Sequence, residues 1–202
     1  MEETALLTDD EIVAICAADG RPWPLSLATV GTTTEELTRA GVRGMRSLMV
    51  RRLTGSNADA PGVRPNALIA RDVAAFLDAP YRVGAYIAPR SDHSVLAGAA
   101  VTAAKSDDGW VLDTVTAAGV HALRAATPEE AEDAILALAQ SAYSGELFAD
   151  IDDVDQWACV VRFGVHAQDA VVITPGKVSG TVEGQSVTSW DPAVIRRGFP
   201  PA

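Results

Sequence analysis

Three histidines, two cysteines and 27 acidic side chains are the material for chemistry in this 202-residue chain, and their spacing limits what they can do. Cys159 and His166 pair a nucleophile type with a base type. Their separation, an odd number of residues, points the two side chains to opposite faces of one regular strand, so only a bulge would let them meet. Ser91-Asp92-His93 places three triad residue types in a row. A relay needs groups that converge from separate elements, so this tripeptide reads as turn chemistry. Thr174-Pro175-Gly176-Lys177-Val178 has the look of a phosphate loop, but the earlier glycine is absent, Val178 stands where Mg²⁺ needs a hydroxyl, and no helix follows. It reads as a hairpin turn. Asp150, Asp152, Asp153 and Asp155 are closely spaced oxygen ligands without the glycine and distal glutamate of a calcium loop, and they read as a solvated acidic loop that could take up Ca²⁺ adventitiously. His121 has no carboxylate or second ligand near it in sequence, and no zinc spacing, Gly-x-Ser-x-Gly elbow or dinucleotide fingerprint occurs. The expectation is no catalytic, cofactor-binding or metal residue and no cofactor. An enzyme would need a site dispersed over distant residues.

Composition narrows the partners. A net charge of -11 opposes approach to nucleic acid or to an anionic membrane. Apolar runs such as Val95 to Ala104 break well before the length of a membrane span, and the start Met-Glu-Glu-Thr has the opposite charge to a signal peptide, so a cytoplasmic protein is expected. Cys16 and Cys159 then read as buried reduced thiols. With 48% hydrophobic residues, mostly Ala, Val and Leu, the chain can bury one substantial core. Arg39, Arg43 and Arg46 recur at helical spacing, extended by Arg51 and Arg52, and read as a solvated face paired to nearby carboxylates, the alternative being contact with an acidic partner.

The elements that must position these residues are legible from caps and periods. Thr8-Asp9-Asp10-Glu11 is a capping box that opens a first helix, which ends at Asp19-Gly20 before a loop framed by Pro22 and Pro24 and anchored by Trp23. Thr33-Thr34-Glu35-Glu36 reads as a second capping box for a helix of about five turns. A loop spans 53–64, and a helix runs from about Asn66 to Asp78. The period then changes to two: strands are predicted at 81–88, 95–102 and 110–116, with Asp107-Asp108-Gly109 as a hairpin turn. Thr127-Pro128-Glu129-Glu130 opens another helix, and strands follow near 156–165, 170–174 and 178–188, then a short helix from Pro192 to Arg197. Trp190 reads as part of the strand-to-helix corner. Helix plus three strands, twice, predicts a single α+β domain over 1–202. A central, mostly antiparallel sheet would be flanked by helices, with a possible pseudo-two-fold αβββ repeat whose halves are 1–126 and 127–202.

Residues Leu7 to Leu53, with a helix, a Leu/Pro-rich loop, a Thr-x-Glu-Glu entry and a helix ending in Leu48-x-x-Arg51-x-Leu53, resemble the N-terminal segment of the EspG family associated with ESX (type VII) secretion. The strand order and Thr-Pro-Glu-Glu helix between Tyr81 and Leu138 are also similar. The resemblance implies a central antiparallel sheet with approximate two-fold symmetry. It also implies a cytosolic, non-enzymatic actinobacterial chaperone that binds the apolar helical tip of a PE/PPE-type secretion substrate. On that reading the partner contact is expected at Lys105, Ser106, Asp107, Asp108, Gly109 and Trp110. An acidic immunity or inhibitor protein that neutralises a basic toxin is the alternative, distinguished by binding that weakens steeply with salt.

Overall fold

The computed structural model describes residues 5–55, 64–107, 109–150, 152–164 and 169–200. In chain order the elements are β1 (Ala5–Thr8), α1 (Asp9–Asp19), α2 (Thr34–Val50), β2 (Thr54–Gly55), β3 (Arg64–Pro65), α3 (Ala67–Asp78), β4 (Tyr81–Pro89), β5 (Ala100–Ser106), β6 (Gly109–Val115) and β7 (Val120–Ala126). They continue with α4 (Pro128–Ser144), β8 (Trp157–Phe163), β9 (Ala170–Thr174), β10 (Lys177–Val182), β11 (Gln185–Val187) and α5 (Pro192–Arg197). Nine strands form one sheet in the order β1-β7-β6-β5-β4-β8-β9-β10-β11, every neighbouring pair antiparallel. The fold is α+β with a central antiparallel sheet and flanking helices.

Strand alternation gives the sheet two apolar faces. Val83, Ala85 and Ile87 of β4, Ala103 of β5, Leu112 of β6 and Val161 of β8 face α4, whose Ala131, Ile135, Ala139 and Ala142 lie on one side of that helix. The opposite parity, Ala104, Val111, Leu123 and Leu7, faces α1, α2 and α3 through Ile12, Leu48, Val73 and Phe76. Burying these side chains, roughly 1.5–3 kcal/mol for each Val, Leu, Ile or Phe and about 0.8 kcal/mol for each Ala methyl, is the driving force that holds helices to both faces.

The strand order is symmetric about the β4–β8 pair: two four-stranded meanders, β4 to β7 and β8 to β11, run outward from it. The expected three strands per half thus become four. β7 was not anticipated, and the run expected over 178–188 is broken into β10 and β11 by Glu183 (φ 51) and Gly184 (φ 73), both left-handed as a two-residue hairpin turn requires. A two-fold axis relating antiparallel neighbours stands perpendicular to the sheet and preserves its faces. The helices do not obey it, because α3 packs on one face and α4 on the other. Symmetry belongs to the strands alone.

Other boundaries moved for local reasons. The strand expected from Val95 starts at Ala100, because Ile87 receives Ala97 N–H (3.0 Å) and donates to Ala99 C=O (3.1 Å), so the chain bulges around one partner residue. Thr33 caps α2 by accepting from Glu36 N–H (3.3 Å), but the Glu36 carboxylate takes the Thr33 hydroxyl (2.6 Å), so this cap is half of the expected box. The caps at Thr8 and Thr127 are complete boxes. Residues 54–55 and 64–65 pair as a small ribbon inside the expected loop.

Helices α1 and α2 approach closely because Ala40 and Gly44 face the start of α1; a Cβ at Gly44 would overlap the Asp10 carbonyl oxygen. The obstacle is backbone, so neither helix can yield without moving as a unit. Gly44→Ala is expected to cost about 1–3 kcal/mol and lower Tm by several degrees, measured by thermal and urea unfolding, whereas Gly41→Ala on the same helix, with only a van der Waals contact to Val13, should be nearly neutral.

Candidate functional site

The expected contact residues sit on the β5–β6 hairpin, where Ser106 pairs with Gly109 across the turn. Lys105 and Ser106 are half-buried, Asp107 and Gly109 are exposed, and Asp108 lies outside the described residues. Trp110 is different: it is buried against the ring of Phe199, 5.6 Å between centroids, on the α4 face. Ser106, Asp107 and Gly109 border a surface groove of about 700 Å³ whose other wall is α3, with Ala74, Ala75 and Pro80 beside Arg71 and Asp78. The groove therefore has apolar walls and a charged rim.

A second constellation escaped the sequence reading. The imidazole of His121 is buried between two carboxylates, Nδ1 at 2.9 Å from Asp113 Oδ2 and Nε2 at 2.8 Å from Asp9 Oδ1. Three elements bring them together. Asp113 of β6 and His121 of β7 project from one sheet face, and Asp9 comes from the first turn of α1, whose N–H is held by Gly119 C=O (2.9 Å). Gly119 has φ 69, and a Cβ there would overlap the Asp9 carboxylate. The other Asp9 oxygen accepts from Thr29 N–H (2.6 Å) and hydroxyl (2.7 Å). Both ring nitrogens face acceptors, and only the doubly protonated ring can donate to both. Burial pushes the His121 pKa down, but the hydrogen bonds to Asp113 and Asp9 outweigh it and raise the value to about 9. Asp9 moves the opposite way: burial raises its pKa, while the bonds from His121 and Thr29 bring it below the usual carboxylate range. Trp23 stacks on Phe76 at 4.5 Å and meets the His121 ring edge-on at 5.8 Å.

The neighbouring acidic groups in this first turn hold two members of the arginine stripe, Arg43 and Arg51. Arg43 forks onto Asp10 with two bonds of 2.7 Å, and the buried Glu11 accepts from Ser47 Oγ and Arg51 Nη1, both 2.7 Å, as well as from Thr8 N–H. Arg39 pairs with Glu35 one turn back on its own helix. A relay at Ser91-Asp92-His93 does not form; Asp92 instead accepts from Ser94 N–H and Oγ, and His93 C=O accepts from Tyr86 Oη and Arg162. Cys16 and Cys159 are buried free thiols, and burial raises both pKa values to about 12, which leaves no thiolate near neutrality. His166 lies outside the described residues. Pro175-Gly176 forms the β9–β10 turn, with Thr174 paired to Lys177. No group of three or more metal-ligand side chains converges among the described residues, including the described aspartates at 150, 152, 153 and 155. Trp190 stacks on Tyr143 at 5.1 Å and donates to Gln140 Oε1.

The signal for the missed trio was parity. Asp113 falls on the same side of β6 as Val111 and Val115, and a charged residue on a buried parity demands a partner. His121, at an inward position of β7, disguised that strand as polar.

The trio links stability to pH. His121 has a folded pKa raised from 6.5, so its stabilisation is complete below about 6.5 and fades as pH rises through about 9. Tm of the wild type is expected to fall across that interval. His121→Gln, which strands two buried carboxylates, should lose roughly 3–5 kcal/mol near neutral pH and flatten the decline. Thermal unfolding from pH 6 to pH 10 of both proteins checks this, and a parallel decline in the variant would contradict it.

No protein-family model and no curated protein matches the chain.

Proposed function

We propose that the chain is a non-enzymatic chaperone of the EspG-like kind, a cytoplasmic adaptor that covers the apolar helical tip of a PE/PPE-like type VII secretion substrate. The observation that carries this reading is the sheet: two antiparallel meanders disposed symmetrically about β4 and β8, flanked by helices, which is the architecture the resemblance implies. The groove between α3 and the β5–β6 hairpin suits such a partner. Ala74, Ala75, Pro80, Val111 and Ala125 give apolar contact, and Arg71, Asp72 and Asp78 surround it with charge. A helix tip laid in a groove draws affinity from its apolar side chains and orientation from the polar rim. Among the described residues, the two thiols lie in the core and the His121 imidazole is held by two carboxylates.

The test is co-expression of the tagged protein with the helical products of neighbouring genes, followed by affinity purification and a salt challenge. A complex with a helical secretion substrate is expected to survive about 1 M NaCl, where screening reduces the reach of charge to about 3 Å. Ala74→Glu, and Ser106→Lys together with Asp107→Lys, should each abolish its recovery while leaving Tm within a few degrees. A basic toxin recovered only at low salt would replace this reading with that of an acidic inhibitor. Recovery unaffected by either variant would remove the groove from the interface.

A further inference from the structure

On the sheet face that carries His121, the proline-framed loop and the segment around Leu96 border a second cavity, open on one side, of about 240 Å³. Its walls are mainly apolar, with Trp23, Leu25, Leu96 and Val115 among them, and Tyr86, Thr102 and Arg162 are its polar side chains from the sheet. Arg162 is the exceptional member. Its Nε donates to Tyr86 Oη (2.7 Å) and its Nη2 to His93 C=O (3.2 Å), leaving Nη1 without an acceptor among the described residues. No carboxylate among those residues forms an ion pair with it, in a chain of net charge -11; Arg82, half-buried on the same sheet, is likewise held by carbonyl oxygens, those of Phe76 and Leu77, but it stacks over the Phe76 ring outside the cavity. A half-buried cation held in place by neutral oxygens lacks its counter-charge. Trp23 adds a buried indole N–H that also has no acceptor among the described residues.

We propose that this cavity binds a small organic monocarboxylate, its anion on Arg162 beside Tyr86 Oη and its apolar body against Trp23, Leu25 and Leu96. Size and charge both restrict the ligand. At about 30 Å³ per water the space matches roughly eight waters, so a body of about ten non-hydrogen atoms fills it. One guanidinium with two of its donors already used balances a single negative charge. His121 also lines the cavity, and the two acids it binds, Asp9 and Asp113, disfavour a polyanion beside it. Its ring nitrogens are already spent, so it shapes the pocket and does not bind the anion. The site is preformed: Pro22 and Pro24 restrict the loop, Trp23 is pinned on Phe76, and His93 C=O ties the opposite segment to Tyr86 and Arg162. It lies apart from the groove between α3 and the hairpin, and the two sites stand or fall independently.

The experiment titrates the full chain with phenylacetate and with its neutral counterpart phenylacetamide, followed by calorimetry and ligand-observed NMR. Phenylacetate is expected to bind with Kd of about 1 mM or tighter, and the amide about tenfold or more weakly, the difference a charge-assisted bond supplies. Arg162→Gln should bring the two ligands to equal affinity. Leu96→Trp, which fills the cavity from its loop and leaves Arg162 in place, should weaken both. Equal affinity of acid and amide for the wild type, or no binding of phenylacetate at about 10 mM, overturns the assignment, and neither result depends on whether Arg162→Gln folds.

Discussion

Everything on one side of the sheet hangs from the first turn of α1, where three consecutive carboxylates tie the helix to the sheet, to the proline-framed loop and to α2. Asp9 reaches the sheet through His121 and the proline-framed loop through Thr29. Asp10 holds α2 through Arg43, and Glu11 closes the cap on Thr8 while receiving Ser47 and Arg51. A helix N-terminus is the natural place for such a concentration of negative charge, because the unpaired amides and the macrodipole favour it. Two of the three, Asp9 and Glu11, are almost wholly buried, and each buried carboxylate has a cation in contact, which is the condition under which burial of charge is tolerable.

The cost of that arrangement explains what it contributes. Ion pairs taken out of water are seldom a net source of stability compared with well-packed apolar groups, but breaking one partner is strongly unfavourable. The bridge from Asp9 through His121 to Asp113 therefore acts mainly against alternatives. A slip of β7 by one residue would turn His121 to the α4 face, away from both acids, and would carry Leu123 with it. β1 is a four-residue edge strand paired only to β7, so its own register depends on the same lock through Leu7 opposite His121. The charge trio fixes the register of the sheet's edge, and the apolar cores on the two faces supply the bulk of the stability.

Much of this was legible from local rules. The capping boxes at Thr8 and Thr127, the stop at Pro80, the hairpin at Asp107-Gly109 and the Pro175-Gly176 turn all act within a few residues, where sequence and conformation are tied by sterics and hydrogen bonding. What was not legible depends on distance in the chain. His121 and Asp9 are far apart in sequence, and nothing local to either residue indicates the other. The two outermost strands on one side of the sheet were lost for a related reason: β1 is too short, and β7 carries a buried histidine where an apolar residue would have shown the alternation. The β5 boundary fell to a bulge at Ala97–Ala99, which no period announces. The groove beside the expected hairpin contains Ala74 and Ala75, whose small size was readable, but its depth comes from the packing of α3 on the sheet face opposite α4.

That opposition of α3 and α4 also accounts for where cavities can exist. If α3 and α4 obeyed the strand symmetry, both would lie on one face and the other would need cover from elsewhere. Instead α4 covers the sheet centre on one side, and on the other α1, α2 and α3 cover only the β1, β7, β6 and β5 side. Tyr86, Thr102 and Arg162 lie on the same face just beyond that cover, where the chain has a loop and not a helix to lay over them. A proline-stiffened loop cannot interdigitate with a pleated surface as closely as a helix ridge does, so it leaves space, and the space inherits the polar residues of the uncovered strands. The position of the Arg162 cavity is thus a consequence of the broken symmetry, and its polarity follows from Tyr86, Thr102 and Arg162 on the strands left uncovered.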